Sequence, residues 1–183
     1  MSVKAKAWGP KQRAESCATR TGSQQLQQPA LKEIYLHPGQ TVVSREPACI
    51  SMVLGSCVGV CLYDPALSIG GATHYMLAKW NGMGQPSSRY GDIAIKTLID
   101  QLGTMGSKTS GLRAMVFGGA RMFEAFRRED GEYIGIRNAN IAVEILDRYA
   151  IAIVTKNIGG NRGRKLRMQT DTGATVVTLI GSR

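Results

Sequence analysis

The feature that most constrains this chain is a pair of strand-like segments separated by a short turn. Leu54–Asp64 and Gly70–Leu77 are built almost wholly from apolar and small residues. An Asp-Pro pair starts the four residues 64–67 between them, and Asp at the first position with Pro at the second favours a type I turn. The pattern predicts a β-hairpin in which Tyr63 and Ser68 pair across that turn.

The predicted register brings two reactive side chains together. Cys57 lies directly opposite His74, one of two histidines in the chain, with Cβ atoms about 5 Å apart. A thiol and an imidazole at that distance can act as nucleophile and base. One extra residue in either strand would rotate them to opposite faces. The alternative interpretation is a buried strand in which both residues only pack, because free cysteine is among the most buried residue types.

Because side chains alternate along each strand, the residues of the hairpin can be assigned to its two faces. The face that carries Cys57 and His74 is otherwise made of small residues, which leaves room for another chain or side chain to approach. The opposite face is apolar, and we expect it to point into the core. Its members on the first strand are Val58, Val60 and Leu62.

The length of 183 residues suits one domain with a tail. Residues 1–32 are rich in Lys, Gln, Ser and Thr and offer little apolar surface, so we expect a disordered, basic, Gln-rich tail. Residues 33–183 are predicted to form a single domain. The tail contributes +5 and the domain the other +5 of the net charge of +10.

Several functional classes are disfavoured by the sequence. No apolar run approaches the ~20 residues needed to cross a bilayer, and we expect a cytoplasmic protein. The four cysteines Cys17, Cys49, Cys57 and Cys61 show no CxxC spacing, so a zinc site is not expected. The basic charge suggests an acidic partner. Aromatic residues make up only 6% of the chain, which favours a protein partner over nucleic acid, although a basic nucleic-acid-binding domain stays an alternative.

The remaining pattern predicts an α/β (α+β) sandwich. Helical spacing of apolar residues predicts two helices, at Tyr90–Leu102 and Asn138–Tyr149. Many short β-rich runs separated by turn residues surround them. Two helices among many short strands indicate mixed or antiparallel sheets.

Two glycine-rich segments have open interpretations. Gly159–Lys165 is basic, but it lacks the ending of a phosphate-binding P-loop. It could dock an acidic protein surface, or it could be a tight turn with solvated charges. In Phe117–Ala120 the glycines could allow close backbone approach.

Taken together, four segments resemble the chemoreceptor glutamine deamidase family, CheD. They are Leu54–Asp64, Gly70–Leu77, Phe117–Ala120 and Gly159–Lys165, and the resemblance spans about residues 33 to 180. It implies an α/β sandwich related to the deamidating bacterial toxins. It also implies hydrolysis of glutamine side chains on chemoreceptor cytoplasmic helices to glutamate, with release of ammonia.

The resemblance also implies roles for three residues. Cys57 matches the family's nucleophile, His74 its base, and Ser51 the position of a threonine that is the third member of the site. Serine keeps the hydroxyl but lacks the β-methyl group that stiffens threonine. The resemblance implies no metal or organic cofactor. The alternative function that it implies is a non-catalytic regulatory partner of a CheC-type chemotaxis phosphatase.

Overall fold

The fold consists of two β-sheets and two main helices. The computed structural model describes residues 31–122 and 133–181. Most of the predicted tail, residues 1–30, lies outside the described residues. The first strand begins at Lys32, next to the predicted start of the domain at residue 33.

A four-stranded sheet forms one layer, in the order β1-β3-β8-β9. β1 and β3 are parallel, and the other pairs are antiparallel. The strands are β1 (Lys32–Tyr35), β3 (Ala48–Leu54), β8 (Gly163–Gln169) and β9 (Thr175–Ile180).

A five-stranded sheet forms the second layer, in the order β2-β5-β4-β6-β7. Only β6 and β7 run parallel, so both sheets are mixed. The strands are β2 (Gln40–Ser44), β4 (Val58–Asp64), β5 (Ile69–Tyr75), β6 (Arg113–Gly118) and β7 (Ala152–Ile158). This arrangement confirms the predicted α/β sandwich.

Both predicted helices are present. α1 spans Gly91–Thr104, close to the prediction. α2 spans Ile134–Arg148 and begins four residues before the predicted start at Asn138. The extra turn contains Gly135, where a Cβ atom would lie 2.7 Å from the Gly119 carbonyl oxygen. Glycine is a poor helix former, and here it is required because the helix packs directly on backbone.

Two apolar cores lie on the two faces of the five-stranded sheet. The helices pack on one face of the five-stranded sheet, against the predicted core residues Val58, Val60 and Leu62. The other face packs against the four-stranded sheet, through residues that include Cys61, Ala72 and Phe117. The small-residue face of the hairpin is therefore covered by the four-stranded sheet. At Gly59, which lies on that face, a Cβ atom would lie 2.7 Å from the Met52 sulfur.

The hairpin forms, but the predicted register is wrong by two residues. Gly59, rather than Cys57, lies opposite His74, and Asp64 pairs with Ile69. The loop has the predicted length of four residues but is displaced by one, to residues 65–68. The Asp64 carboxylate accepts hydrogen bonds from the Ala66 and Leu67 amides at 2.9 and 3.3 Å. It therefore supports the turn from the last position of the strand.

Candidate active site

The register places Cys57 on the same face as His74, although not directly opposite it. A shift of two residues preserves the face. Cys57 lies in the bend just before β4, two positions before Gly59, the cross-strand partner of His74. It packs against the core between the two sheets, on the side to which the alternation of β5 also directs His74. The structure thus places the predicted nucleophile and base at the same end of the hairpin and on the same side of the five-stranded sheet.

Cys57 is the last residue of a short segment, residues 55–57, in which every main-chain carbonyl accepts a hydrogen bond. The Gly55 carbonyl oxygen accepts from the Ala120 amide, and that of Cys57 accepts from the Gly119 amide, both at 2.8 Å. The Ser56 carbonyl oxygen accepts from Asn138 Nδ2 at 3.0 Å. The thiol is half-buried against the core between the sheets. The segment therefore has a fixed conformation around a partly accessible sulfur.

The glycines after β6 make that arrangement possible. Gly118 has a φ of 107°, and a Cβ atom there would overlap the Cys57 carbonyl oxygen. Gly119 has a φ of 67° and donates its amide to the same oxygen. Both conformations favour glycine. The prediction that the Phe117–Ala120 segment needs glycine for close backbone approach is confirmed.

His74 is buried at 2% exposure on the face toward the four-stranded sheet. Its Nδ1 atom lies 3.1 Å from the Leu36 carbonyl oxygen. A carbonyl can only accept, so Nδ1 carries the proton and donates it. In the neutral ring Nε2 then carries the free lone pair. Nε2 is buried and has no hydrogen-bond partner among the described residues.

Burial favours the neutral forms of both candidate residues. Desolvation lowers the pKa of His74, partly opposed by its hydrogen bond to Leu36, while the charge of His37 lowers it further. Desolvation raises the pKa of the Cys57 thiol, partly opposed by a hydrogen bond from the residue's own amide. A neutral thiol beside a neutral imidazole is therefore the resting pair. A thiolate–imidazolium pair is disfavoured.

The Ser51 side chain is not brought to the imidazole. Its neighbours Ile50 and Met52 pack in the core between the sheets. Because side chains alternate along a strand, Ser51 points to the outer face of the four-stranded sheet. Its register partners there are Tyr35 and Arg167.

Ser51 instead connects to His74 through the main chain. The Ser51 carbonyl oxygen accepts a hydrogen bond from the Leu36 amide at 2.8 Å. The Leu36 carbonyl oxygen in turn accepts from His74 Nδ1. Sequence reasoning missed Leu36, because a carbonyl acceptor carries no side-chain signature.

The comparisons with known proteins identify the family of this chain. The family model described as CheD chemotactic sensory transduction matches residues 76–179, more than half of the chain. The chain belongs to the CheD family. The matched range includes Asn138 and Arg164 and begins just after His74.

Individual CheD relatives cover most of the chain. A protein of Sulfurimonas denitrificans named probable chemoreceptor glutamine deamidase CheD is 39% identical over 146 residues, covering 80% of this chain and 93% of the relative. A Thermotoga maritima protein named chemoreceptor glutamine deamidase CheD is 36% identical over 144 residues, covering 78% of this chain and 89% of the relative. A stretch of that length in 183 residues necessarily includes Cys57 and His74.

The other cysteines described in this CheD chain are poor nucleophile candidates. Cys61 is fully buried between Ala72 and Met115, and burial raises its pKa to about 12. Cys49 is also fully buried. The second histidine, His37, is exposed and packs edge-on against Tyr35, as expected for a residue of a surface turn.

The basic loop Gly159–Lys165 does not present all of its charges to solvent. Arg164 is buried, and its Nη1 atom donates to the Gly118 carbonyl oxygen at 3.0 Å and also to that of Asn157. Its Nη2 atom donates to the Gly159 carbonyl oxygen. Both predicted roles, a docking loop and a turn with solvated charges, are therefore wrong for Arg164. Its guanidinium holds the backbone that lies behind Cys57.

A separate cavity of about 430 Å³ lies where β5 ends and α2 begins. Its walls include Leu77, Tyr90 and Asn138, but neither Cys57 nor His74. Within residues 31–122 and 133–181, no group of three or more His, Cys, Asp or Glu side chains could hold a metal ion. No helix in the same ranges is long and apolar enough to span a membrane.

Proposed function

We propose that this chain is a protein-glutamine deamidase that converts glutamine side chains of chemotaxis receptors to glutamate. The observation that carries the proposal is the half-buried Cys57, which lies on the same side of the five-stranded sheet as an imidazole whose Nε2 lone pair is unengaged within the described residues. The names of the CheD relatives support the choice of substrate. No metal or organic cofactor is part of the proposal.

The first half-reaction forms a thioester. His74 Nε2 takes the proton of the Cys57 thiol as the sulfur attacks the side-chain carboxamide carbon of glutamine. Negative charge develops on the carboxamide oxygen, and the Cys57 amide can donate to it, an interaction worth ~3 kcal/mol. The imidazolium then protonates the departing nitrogen. The C–N bond breaks, and ammonia leaves.

The second half-reaction releases glutamate. His74, neutral again, takes a proton from a water molecule that attacks the thioester carbon. The tetrahedral intermediate collapses with cleavage of the C–S bond, and the sulfur regains its proton from the imidazolium. The Leu36 carbonyl holds Nδ1–H throughout, so the same nitrogen, Nε2, serves both steps.

Ammonia release from purified receptor cytoplasmic fragments tests the proposal. We expect release by the wild type, none above background by Cys57→Ala or His74→Ala, and retained activity in Cys61→Ala. Cys61→Ala is the matched control because it removes a thiol from the same strand without removing the nucleophile. Retained activity in Cys57→Ala would overturn the assignment of the nucleophile.

The second candidate is the role of a non-catalytic regulatory partner of a CheC-type phosphatase. It predicts no ammonia release by the wild type on any receptor fragment, together with binding to a CheC-type protein that survives Cys57→Ala. The deamidase proposal places the protein in the cytoplasm, since its substrates are receptor cytoplasmic helices.

A further inference from the structure

Asn138 is a fully buried polar residue in the first half of α2. Its Nδ2 atom donates to the Ser56 carbonyl oxygen at 3.0 Å and to the Met76 carbonyl oxygen at 2.7 Å. Two carbonyl oxygens fix which way the amide faces, because the flipped rotamer would turn Oδ1 toward both of them. Asn138 therefore links the segment before the nucleophile to the end of the strand that carries His74.

The hydrogen bond from Asn138 to the Ser56 carbonyl oxygen also determines the direction of the Cys57 N–H. In a trans peptide the carbonyl and the following N–H point in opposite directions. Asn138 draws the Ser56 carbonyl toward α2, so the Cys57 N–H points away from α2.

The hydrogen bonds on either side hold the two flanking peptides but not the Ser56–Cys57 peptide itself. The Gly55 and Cys57 carbonyls are held by the Ala120 and Gly119 amides. These two bonds fix the flanking peptides but do not engage the peptide that carries the Cys57 N–H. Only the side chain of Asn138 holds its carbonyl among the hydrogen bonds of the described residues.

Asn138 is itself held in place on its helix. The Tyr75 hydroxyl donates to the Asn138 main-chain carbonyl oxygen at 2.6 Å. Tyr75 directly follows His74 in β5 and is fully buried in the core beneath the helices. The orientation of the Ser56–Cys57 peptide is thus set by the same strand that positions the base.

We propose that Asn138 is a positioning residue that aims the Cys57 N–H at the oxyanion formed when the thiolate attacks an acyl carbon. The inference deepens the proposed function and rests on Cys57 as its nucleophile. Removing the Nδ2 donor leaves the nucleophile and base in place but allows the peptide to rotate. Attack on a carbonyl group is then impaired while the sulfur stays reactive.

Two small reagents separate these effects. With p-nitrophenyl acetate, the thiolate attacks the carbonyl carbon, an oxyanion forms, the C–O bond breaks, and p-nitrophenolate leaves a thioester. With iodoacetamide, the thiolate displaces iodide from carbon and no oxyanion forms. Both reactions use the same thiolate, so their rate ratio at one pH cancels changes in the pKa of the thiol. Rates in Cys57→Ala give the background to subtract.

We expect Asn138→Ala to lower the ratio of acylation to alkylation by roughly 10- to 100-fold, given the 10²- to 10³-fold cost of losing an oxyanion donor outright. The matched control is Asn140→Ala, which removes an exposed Asn from the same helix and should leave the ratio within twofold. If Asn138→Ala yields no folded protein, Asn138→Asp, which keeps the volume, is measured in the same way.

An unchanged ratio in a folded Asn138 variant would overturn the proposal. This includes equal losses of rate in both reactions, which leave the ratio unchanged and indicate a general structural role. On receptor fragments the same variant should lose kcat with little change in KM. The reagent ratio does not depend on receptor substrates, so a wild type inactive on receptors would count against the proposed function and leave this test in force.

Discussion

His74 donates through Nδ1 to the carbonyl oxygen of Leu36, 3.1 Å away, and this bond makes Nε2 the basic nitrogen. In many nucleophile–base pairs a third side chain orients the base. Here the acceptor is the main-chain carbonyl of Leu36, which directly follows β1 of the four-stranded sheet and is fixed in turn by the bond from the Leu36 amide to the Ser51 carbonyl oxygen of β3. The orientation of the proposed base therefore depends on the packing of β5 against the end of β1 rather than on one side chain.

The pKa of Cys57 predicts slow alkylation at neutral pH. Burial raises this pKa above its ordinary value of 9.0, so the thiolate fraction grows only in alkaline solution. We expect the rate of iodoacetamide modification of Cys57 to rise with pH, with a midpoint above 9. A plateau already reached at pH 6–7 would instead indicate a thiolate–imidazolium pair.

The pKa of His74 predicts how the rate of deamidation falls at acidic pH. Desolvation lowers this pKa below its ordinary value of 6.5, and the mechanism requires the neutral ring in the free enzyme. The kcat/KM for receptor fragments should therefore decline in acid with a midpoint below pH 6.5. A limb centred above 6.5 would contradict the assignment of His74 as a desolvated base.

The position of Ser51 predicts that its hydroxyl group has only a small effect on the rate of ammonia release. The side chain points to the outer face of the four-stranded sheet, whereas its carbonyl supports Leu36. Ser51→Ala and Ser51→Thr both keep that carbonyl, so we expect ammonia release within about threefold of the wild type in both. A loss of 100-fold or more in Ser51→Ala would mean that the hydroxyl contacts the imidazole during turnover.

The sequence was sufficient to predict the faces of the hairpin but not its register. Alternation depends only on the strand pattern, so Val58 and Val60 were placed correctly in the core. The register depends on which residue ends the strand, and Asp and Pro fit a turn displaced by one residue equally well. Here Asp64 stays in the strand, and Ser68 takes the left-handed conformation with a φ of 52°.

Of all the features described, the contacts around Cys57 were the least predictable from the sequence. Asn138 and Arg164 act on main-chain carbonyls 82 and 46 residues away in sequence. A donor to a distant carbonyl leaves no spacing signal in one sequence, and a basic glycine loop suggests exposed charge. Gly118 gave a signal, because a glycine pair at the end of a buried strand is typical of close backbone approach.

Gly118→Ala should displace the nucleophile segment. The new Cβ atom would overlap the Cys57 carbonyl oxygen, and the φ of 107° is itself unfavourable for alanine. Gly82→Ala is the matched control, because Gly82 has a φ of 82° and open space where a Cβ would go.

We expect Gly82→Ala to lower the free energy of unfolding by about 1–2 kcal/mol, the cost of a left-handed conformation alone. Gly118→Ala should lower it by more and should also abolish ammonia release. Equal losses of stability in urea unfolding would show that the overlap with the Cys57 carbonyl is relieved at no cost.

Arg164→Lys should destabilise the fold although it preserves the charge. The guanidinium reaches three carbonyl oxygens, those of Gly118, Asn157 and Gly159. Lysine cannot reproduce that planar set of donors. Losing one hydrogen bond from a charged donor to a buried carbonyl costs roughly 2–3 kcal/mol, which corresponds to a fall in Tm of roughly 5–10 °C for a domain of this size.

The exposed neighbour Lys165 offers the control, since Lys165→Met should change the Tm by about 1–2 °C at most. Arg164 also holds Gly118, whose neighbour Gly119 donates to the Cys57 carbonyl. The folded fraction of Arg164→Lys should therefore release ammonia more slowly per molecule than the wild type. A variant with unchanged Tm and unchanged activity would show that the buried guanidinium does not support the nucleophile segment.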